Sequence, residues 1–323
     1  MSGRYEKEMK IDEKVREQLN KLPDVLTDYY YSMIGAGKSY ITAKSYIYHV
    51  ELFIKSKYKK NCPQDFYKDV TSTDINKYIA SLRTKVVNNK KGKISDSYKT
   101  VAWSALNSFF QFLVPDYIKE NPVFNTKRPP MKDNPEVTYL EEDEVNSLFK
   151  NIKRKANKRM LNRDLCIMKL GFATGLRVSA IAQIDVDDID LNNNRIKVIE
   201  KGDREHFILI GENLKNQILL WLDDRKKYFN CEATNALFIS QESKRISTRT
   251  IRDLLKKYSD GLDKHITPHM MRHTCATNLY EKTGDIYLCA SQLNHKNVST
   301  TQRYAEISKS RKVEATNILD NLI

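Results

Sequence analysis

Arg177 lies in ATGLRVSA (173–180), Arg272 in PHMMRHTCAT (268–277), and Tyr304 closes LNHKNVSTTQRY (293–304), while Lys201 stands between two β-rich runs. A guanidinium presents a planar fork of donors that matches two phosphate oxygens, a geometry an ammonium cannot reproduce. Attack on a phosphodiester concentrates further charge on oxygens that are already negative, so preorganised cations are the remedy. A phenol has an ordinary pKa of about 10, so its proton must be removed, or its developing charge stabilised, before it attacks anything. Imidazoles such as those of His269 and His295 suit proton movement near neutrality. Any one of the 18 tyrosines would by itself read as packing, but only Tyr304 stands nine residues beyond the histidine of LNH.

Two other patterns lead nowhere. Gly35-Ala-Gly-Lys-Ser39 looks like the end of a phosphate loop, yet the required spacing needs glycine where the chain has Ser32, and no strand precedes it. His265, His269 and His273 recur every four residues, as metal ligands on one helix face would. However, Pro268 favours a helix that begins after Thr267, which leaves His265 off that face, and no HExxH acid accompanies the set.

The elements that must position these residues fall into two groups. Between Pro23 and Asn125 the pattern is helical: Val25, Leu26, Tyr29, Tyr30 and Met33 form one apolar stripe, and Tyr46, Val50, Phe53 and Ile54 another. Thr73 and Asp74 can cap a helix running through Arg83, and Ser95 or Asp96 one running through Trp103, Leu106, Phe109, Phe110 and Leu113. VVNNKKGK between them reads as a basic loop, so this region is expected to be an all-helical bundle. Asn121 to Pro135 holds four of the eight prolines and no apolar period, which marks an extended linker. Beyond it Thr138 and the acids after it can open a helix near Glu141, and helices dominate again. The exception is RIKVIEKGDREHFILI (195–210), a hairpin with Lys201 in its turn. Residues 1–20 are charged without a convincing period and are expected to be a frayed or loosely docked extension. The resulting division is 1–20 extension, 21–127 helical domain, 128–137 linker and 138–323 second domain.

Lysine and arginine number 55 against 41 acidic residues, a net charge of +14 that makes a polyanion the leading partner. Residues 38–128 hold 17 basic and 7 acidic side chains, so the first domain is the denser electrostatic surface. Five scattered cysteines without a CxxC pair suggest neither a disulfide framework nor a zinc module. The amino-terminal residues are charged rather than apolar, and no apolar run approaches about 18 residues. A cytoplasmic protein with no membrane contact is expected.

In these motifs the sequence resembles the tyrosine recombinase or phage integrase family, of the two-domain Xer-like or mobile-element type. That family shows A-T-G-[LM]-R-[IV]-S-E, a G-K-G hairpin turn, T-P-H-x-L-R-H-T-x-A-T and L-G-H-x-x-x-x-T-T-x-x-Y in this order. Ile41-Thr-Ala-Lys-Ser-Tyr46 and the aromatic helix before Asn121-Pro122 resemble its core-binding domain, so the likeness spans roughly residues 25–310. It implies a mainly α protein: a helical core-binding domain and a mostly helical catalytic domain with a small β-sheet, forming a C-shaped clamp on DNA.

The implied activity is site-specific DNA recombination through a 3′-phosphotyrosyl intermediate and a Holliday junction, for a mobile element or phage. Because the ester conserves the energy of the phosphodiester, no cofactor and no metal are needed. Tyr304 is then the nucleophile, Arg177 and Arg272 bind the phosphate, His269 is the general base, Lys201 protonates the departing 5′ oxygen, and His295 hydrogen-bonds a phosphate oxygen. His273 is expected only to pack behind Arg272.

Three departures stand out: Ala180 replaces the usual glutamate, Asn294 the glycine before the histidine, and His206 an arginine of the hairpin. The lost carboxylate leaves Asp185, Asp187 or Asp188 to support Arg177. Candidate DNA contacts are Lys44, Lys90, Lys91 and Lys99 in the first domain, and Lys244, Arg245 and Arg249 in the second. A stripe of Val313, Ala315, Ile318, Leu319 and Leu322 is expected to dock on a neighbouring protomer, giving a homotetramer on double-stranded DNA with paired inverted sites. The competing reading is a non-catalytic DNA-binding protein on the same scaffold. A metal-dependent nuclease would need a carboxylate cluster that the sequence does not offer.

Overall fold

The structure is a computed structural model that describes residues 3–59, 61–87, 90–130, 138–200, 204–230, 232, 234–294, 301–302 and 304, with backbone alone at 3–7, 85–87, 90–92, 200 and 204. Lys201, His295, the centre of the linker and the apolar stripe of the carboxyl-terminal tail lie outside the described residues. So do the side chains of Lys90 and Lys91. The chain divides into two compact units, Met1–Pro135 and Glu136–Ile323.

The first unit is built on α1 (Gly3–Leu19), α2 (Val25–Gly35), α3 (Tyr40–Tyr58), α4 (Ser72–Ser81) and α5 (Asp96–Phe112). The apolar stripes of α2, α3 and α5 meet in one core that includes Tyr29, Tyr30, Phe53, Phe109 and Phe110. Gly35-Ala-Gly-Lys-Ser39 is the turn from α2 to α3: Ser39 caps α3 by accepting the amide N–H of Thr42. Thr71 rather than Thr73 caps α4, and Asp74 completes a reciprocal capping box.

Three expectations for this unit need correction. Residues 1–20 are not a loose extension: α1 buries Val15 and Leu19, with Ile11 packed beside them, in the same core. These three residues recur every four positions, which is enough to seat a helix whose other faces are charged. Asp12 fixes it further by accepting from the hydroxyl of Tyr30 at 2.6 Å. The basic segment after α4 is a hairpin of β1 (Thr84–Val87) and β2 (Lys90–Lys93), paired from Thr84↔Lys93 to Val87↔Lys90. Its signal was the β-branched Val86-Val87 run followed by Asn-Asn, a residue type suited to two-residue connections. Finally, the first part of the proline-rich stretch is packed rather than extended. Val123 is fully buried, and the indole of Trp103 donates to Thr126 Oγ1 at 2.7 Å.

The second unit contains α6 (Glu142–Lys155), α7 (Leu161–Thr174), α8 (Val178–Gln183), a sheet of β3 (Ile189–Asp190), β4 (Arg195–Glu200) and β5 (Arg204–Leu209), then α9 (Glu212–Tyr228), α10 (Thr248–Tyr258), α11 (Pro268–Thr283) and α12 (Ile286–Gln292). The sheet is antiparallel in the order β3-β4-β5, and Glu200↔Arg204 is the last described β4–β5 pair. The core between α7, α9, α10 and α11 is aliphatic around Trp221 and Phe238. A buried polar network crosses it: Arg163 donates to Asp164 and to the carbonyl of Ile239, and Asp164 accepts from the hydroxyl of Tyr258. Beside this carboxylate, burial first and then the negative charge push the Tyr258 phenol well above its ordinary range.

Candidate active site

Two turns of the second unit converge on Arg272 of α11. α7 ends at Gly175, which adopts φ +64°, a left-handed conformation open to glycine at little cost. A second reason requires glycine here: a Cβ would lie 2.5 Å from Leu293 Cδ2. This close approach sets the turn leading to Arg177 against the turn leading toward His295. Arg177 itself follows two residues later at the N-cap position of α8 and is half-buried.

α11 supplies the third side. Thr267 caps it by accepting the N–H of Met270, and Pro268 occupies its first turn, so His265 stands outside the helix as the sequence indicates. Arg272 is buried, and its guanidinium donates to the carbonyls of Gly175 at 2.9 Å and Leu293 at 2.6 Å. Two of five N–H donors thereby tie the ATGLR turn and the LNH turn to one helix. Close packing of α7 on α11 allows this: a Cβ at Gly171 would meet the end of Met271 at 3.0 Å.

Tyr304 packs on Ala276 and Leu293 and is 1% exposed. His273 Nδ1 lies 2.9 Å from its hydroxyl oxygen. The expectation that His273 only packs behind Arg272 is therefore corrected: it touches the candidate nucleophile. The packing view failed because adjacent helical residues point about 100° apart, which turns His273 off the Arg272 side. His269 is exposed one turn earlier, with its ring centre 6.5 Å from that of His273. The structure thus brings the turn bearing Arg177, Arg272 and Tyr304 into one neighbourhood.

The departures from the family pattern find local explanations. Ala180 is buried in the core cluster, in keeping with its small apolar side chain. Asp185, Asp187 and Asp188 are engaged elsewhere: Asp185 pairs with Arg245, Asp187 accepts from Asn235 at 2.7 Å, and Asp188 lies 3.4 Å from Lys197. Asn294 has φ +49°, the left-handed region that asparagine tolerates better than other non-glycine residues. Its side-chain nitrogen lies 3.3 Å from His206 Nδ1 on β5. The two substituted positions thus contact each other, and no sequence rule links residues 88 apart.

Of the candidate DNA contacts, Arg245 does not fit the expectation. Its guanidinium donates to the carbonyls of Ala182, Gln183 and Ile184 as well as to Asp185, so it closes the carboxyl end of α8. Lys44 is exposed on α3, and Lys244 and Arg249 are exposed beside Glu242 and Asp253. Lys99 is half-buried, 3.5 Å from Asp96. The nearby thiols are poor competitors for nucleophilic work, since burial pushes Cys275 up to about 12 and Cys289 up to about 11. Among the described residues there is no His/Cys/Asp/Glu group that would hold a metal ion, and no helix long and apolar enough to cross a membrane.

With this geometry in place, comparison with known proteins is specific. The phage integrase family model matches residues 138–311. The tyrosine recombinase XerD of Staphylococcus epidermidis is 30% identical over 255 residues, covering 76% of this chain and 85% of the relative. The solved structure of XerH site-specific recombinase bound to palindromic difH substrate, a post-cleavage complex, superposes with a TM-score of 0.67 at 19% identity, covering 88% of this chain and 81% of that one. A lambda integrase dimer bound to a COC′ core site gives 0.64 at 18% identity, with 90% and 77% covered. At such identities the two structures speak for the fold.

Proposed function

The chain belongs to the phage integrase family and is a tyrosine site-specific recombinase, and we propose that Tyr304 is its nucleophile and that the residues gathered around Arg272 form its active site. The observation that carries this reading is Arg272 itself: one guanidinium anchors the turns that bear Arg177 and lead to His295, beside the helix residue that touches Tyr304.

In this mechanism the oxygen of Tyr304 attacks the scissile phosphorus while Arg177 and Arg272 stabilise the charge that grows on the non-bridging oxygens. His269 takes the phenolic proton, His295 hydrogen-bonds a phosphate oxygen, and Lys201 protonates the departing 5′ oxygen. A 3′-phosphotyrosyl ester results. The 5′ hydroxyl of a partner strand then reverses the step, which yields a Holliday junction without any high-energy cofactor.

The substrate is double-stranded DNA with paired inverted sites, gripped by a core-binding domain that includes α1 and runs to residue 127 and by a catalytic domain from residue 138. Lys44, Lys90, Lys91, Lys99, Lys244 and Arg249 are the phosphate contacts of this reading, and Arg245 is withdrawn from it. The recombinase works in the cytoplasm for a mobile element or phage, as a homotetramer on DNA. In this reading the tail stripe of a neighbouring protomer seats in a 340 Å³ hollow of the second unit, where Phe172, Leu279 and Leu288 lie beside Asn278, Lys282 and Gln292.

The decisive experiment traps covalent protein–DNA adduct on suicide substrates and sequences the attached DNA. Adduct that resists chelators and disappears in Tyr304→Phe is expected. A protein that binds its site tightly yet never forms adduct would instead be a DNA-binding factor on a recombinase scaffold.

A further inference from the structure

The geometry points to a role for His273 that neither the motif resemblance nor the phosphate chemistry assigns: it is the positioning residue that holds the hydroxyl of Tyr304. This rests on the reading of Tyr304 as nucleophile and adds to it a residue that fixes where the nucleophilic oxygen sits.

Tyr304 is held at both ends. Its ring packs on Ala276 and Leu293, and its oxygen lies 2.9 Å from His273 Nδ1, with the two ring planes inclined at 54° and their centres 5.7 Å apart. A phenol with 1% of its surface exposed needs a hydrogen-bond partner close by, because a buried hydroxyl left unsatisfied is costly. His273 meets that need from the same helix that carries Arg272, one residue away, and Arg272 in turn fixes the backbone of Gly175 and Leu293. Phenolic oxygen and guanidinium are therefore set by one rigid element rather than by two loops. With the proton of a neutral His273 on Nε2, Nδ1 accepts from the tyrosine O–H and aims it along one direction, which leaves the oxygen lone pairs in a defined orientation for attack.

His269 cannot substitute in this task. Its ring lies 6.5 Å from that of His273 and it is exposed, whereas the His273 ring lies 5.7 Å from that of Tyr304 with Nδ1 at the hydroxyl. The hydroxyl has one proton, so on attack it must part from Nδ1 of His273 before a base such as His269 can take it; until then His273 holds the oxygen in place. What His273 provides is placement, and placement errors of about 1 Å can cost on the order of 100-fold in rate.

The test uses the full-length recombinase and a suicide substrate, with adduct formation followed at saturating protein and site affinity measured separately. His273→Ala is expected to slow adduct formation by about 100-fold with site affinity unchanged. His273→Asn, whose Oδ1 can accept the same hydrogen bond, is expected to recover most of that rate. His273→Phe, which fills the space without the bond, should stay slow. Wild-type rates in either the alanine or the phenylalanine variant, or an asparagine variant no faster than phenylalanine, overturn the proposal. A second measurement is independent of folding in those variants: in ¹⁵N-histidine spectra, Tyr304→Phe should move the Nδ1 resonance of His273, and an unmoved resonance likewise overturns it. Adduct that persists in Tyr304→Phe would defeat the nucleophile assignment instead, which keeps the two failures distinct.

Discussion

In Met1–Pro135 the interior is made of rings: Phe109 meets Tyr29 edge-on at 5.2 Å and lies parallel to Phe66 at 5.9 Å, and Phe53 meets Tyr78 and Phe110 edge-on. In Glu136–Ile323 the apolar mass is mostly aliphatic, and polar side chains run through it, with Arg163, Asp164, Arg225, Arg272 and Thr274 all buried. Arg225 spends its donors on the carbonyls of Ala236 and Thr234, as Arg272 does on those of Gly175 and Leu293. The first unit thus gains its stability from groups that take no part in chemistry. In the second, Arg272, proposed to meet phosphate, also holds two backbone turns together, so stability and reactivity draw on one side chain.

That contrast is open to direct attack. Arg272→Ala should show the largest effect, because it strikes both properties. Each orphaned buried carbonyl costs about 1–3 kcal/mol, and loss of one preorganised donor group at the reacting phosphate costs about 10²–10³ in rate. Chemical denaturation and suicide-substrate cleavage should fall together, and a variant that loses cleavage with undiminished stability would contradict the shared role. Phe109→Ala should cost about 3–5 kcal/mol of stability, as for other buried aromatics. Below its melting transition, however, adduct formation at saturating protein should match the wild type. A slower chemical step there would show that the ring core reaches into catalysis.

Thr71→Ala removes the hydroxyl half of a capping box on α4 and should cost about 1 kcal/mol, read as a shift in denaturation midpoint with cleavage untouched. Asn294→Gly should be of similar or smaller size in stability, since glycine accepts φ +49° readily while the contact with His206, about 0.5–1.5 kcal/mol, is lost. Unlike Thr71→Ala, it should lower the cleavage rate measurably, because it loosens the turn that Arg272 holds. Equal effects of the two variants on cleavage would blur the distinction between the units.

The same contrast explains what the sequence could disclose. Long apolar stripes such as those of α2, α3 and α5 are periodic, so the mainly helical fold and the ring-filled core were legible in the residues. α1 was not, since among the described side chains it docks on three apolar positions between charged neighbours, and the β1–β2 hairpin was not, since its one short apolar signal, Val86-Val87, pairs with a second strand, Lys90–Lys93, that has no apolar side chain. In the second unit the motifs named the polar residues but not their partners. No spacing rule says that Arg272 will donate to the carbonyls of Gly175 and Leu293, that Arg245 will close α8, or that His273 rather than His269 will reach Tyr304. Such pairings are decided by where a long side chain ends, and that depends on packing between elements far apart in the chain.

The absent Cβ of Gly175 has a practical corollary for anyone seeking to retarget or harden this recombinase. Any side chain there must displace the end of Leu293, and where the two turns part in response, the carbonyls at 175 and 293 leave the simultaneous reach of a single guanidinium. Trimming Leu293 to make room would not undo the damage, because the left-handed backbone at 175 still penalises every L-residue that has a β-carbon. Positions 175, 272 and 293 therefore form a keystone to be left intact in a library, while diversity is spent on the exposed lysines.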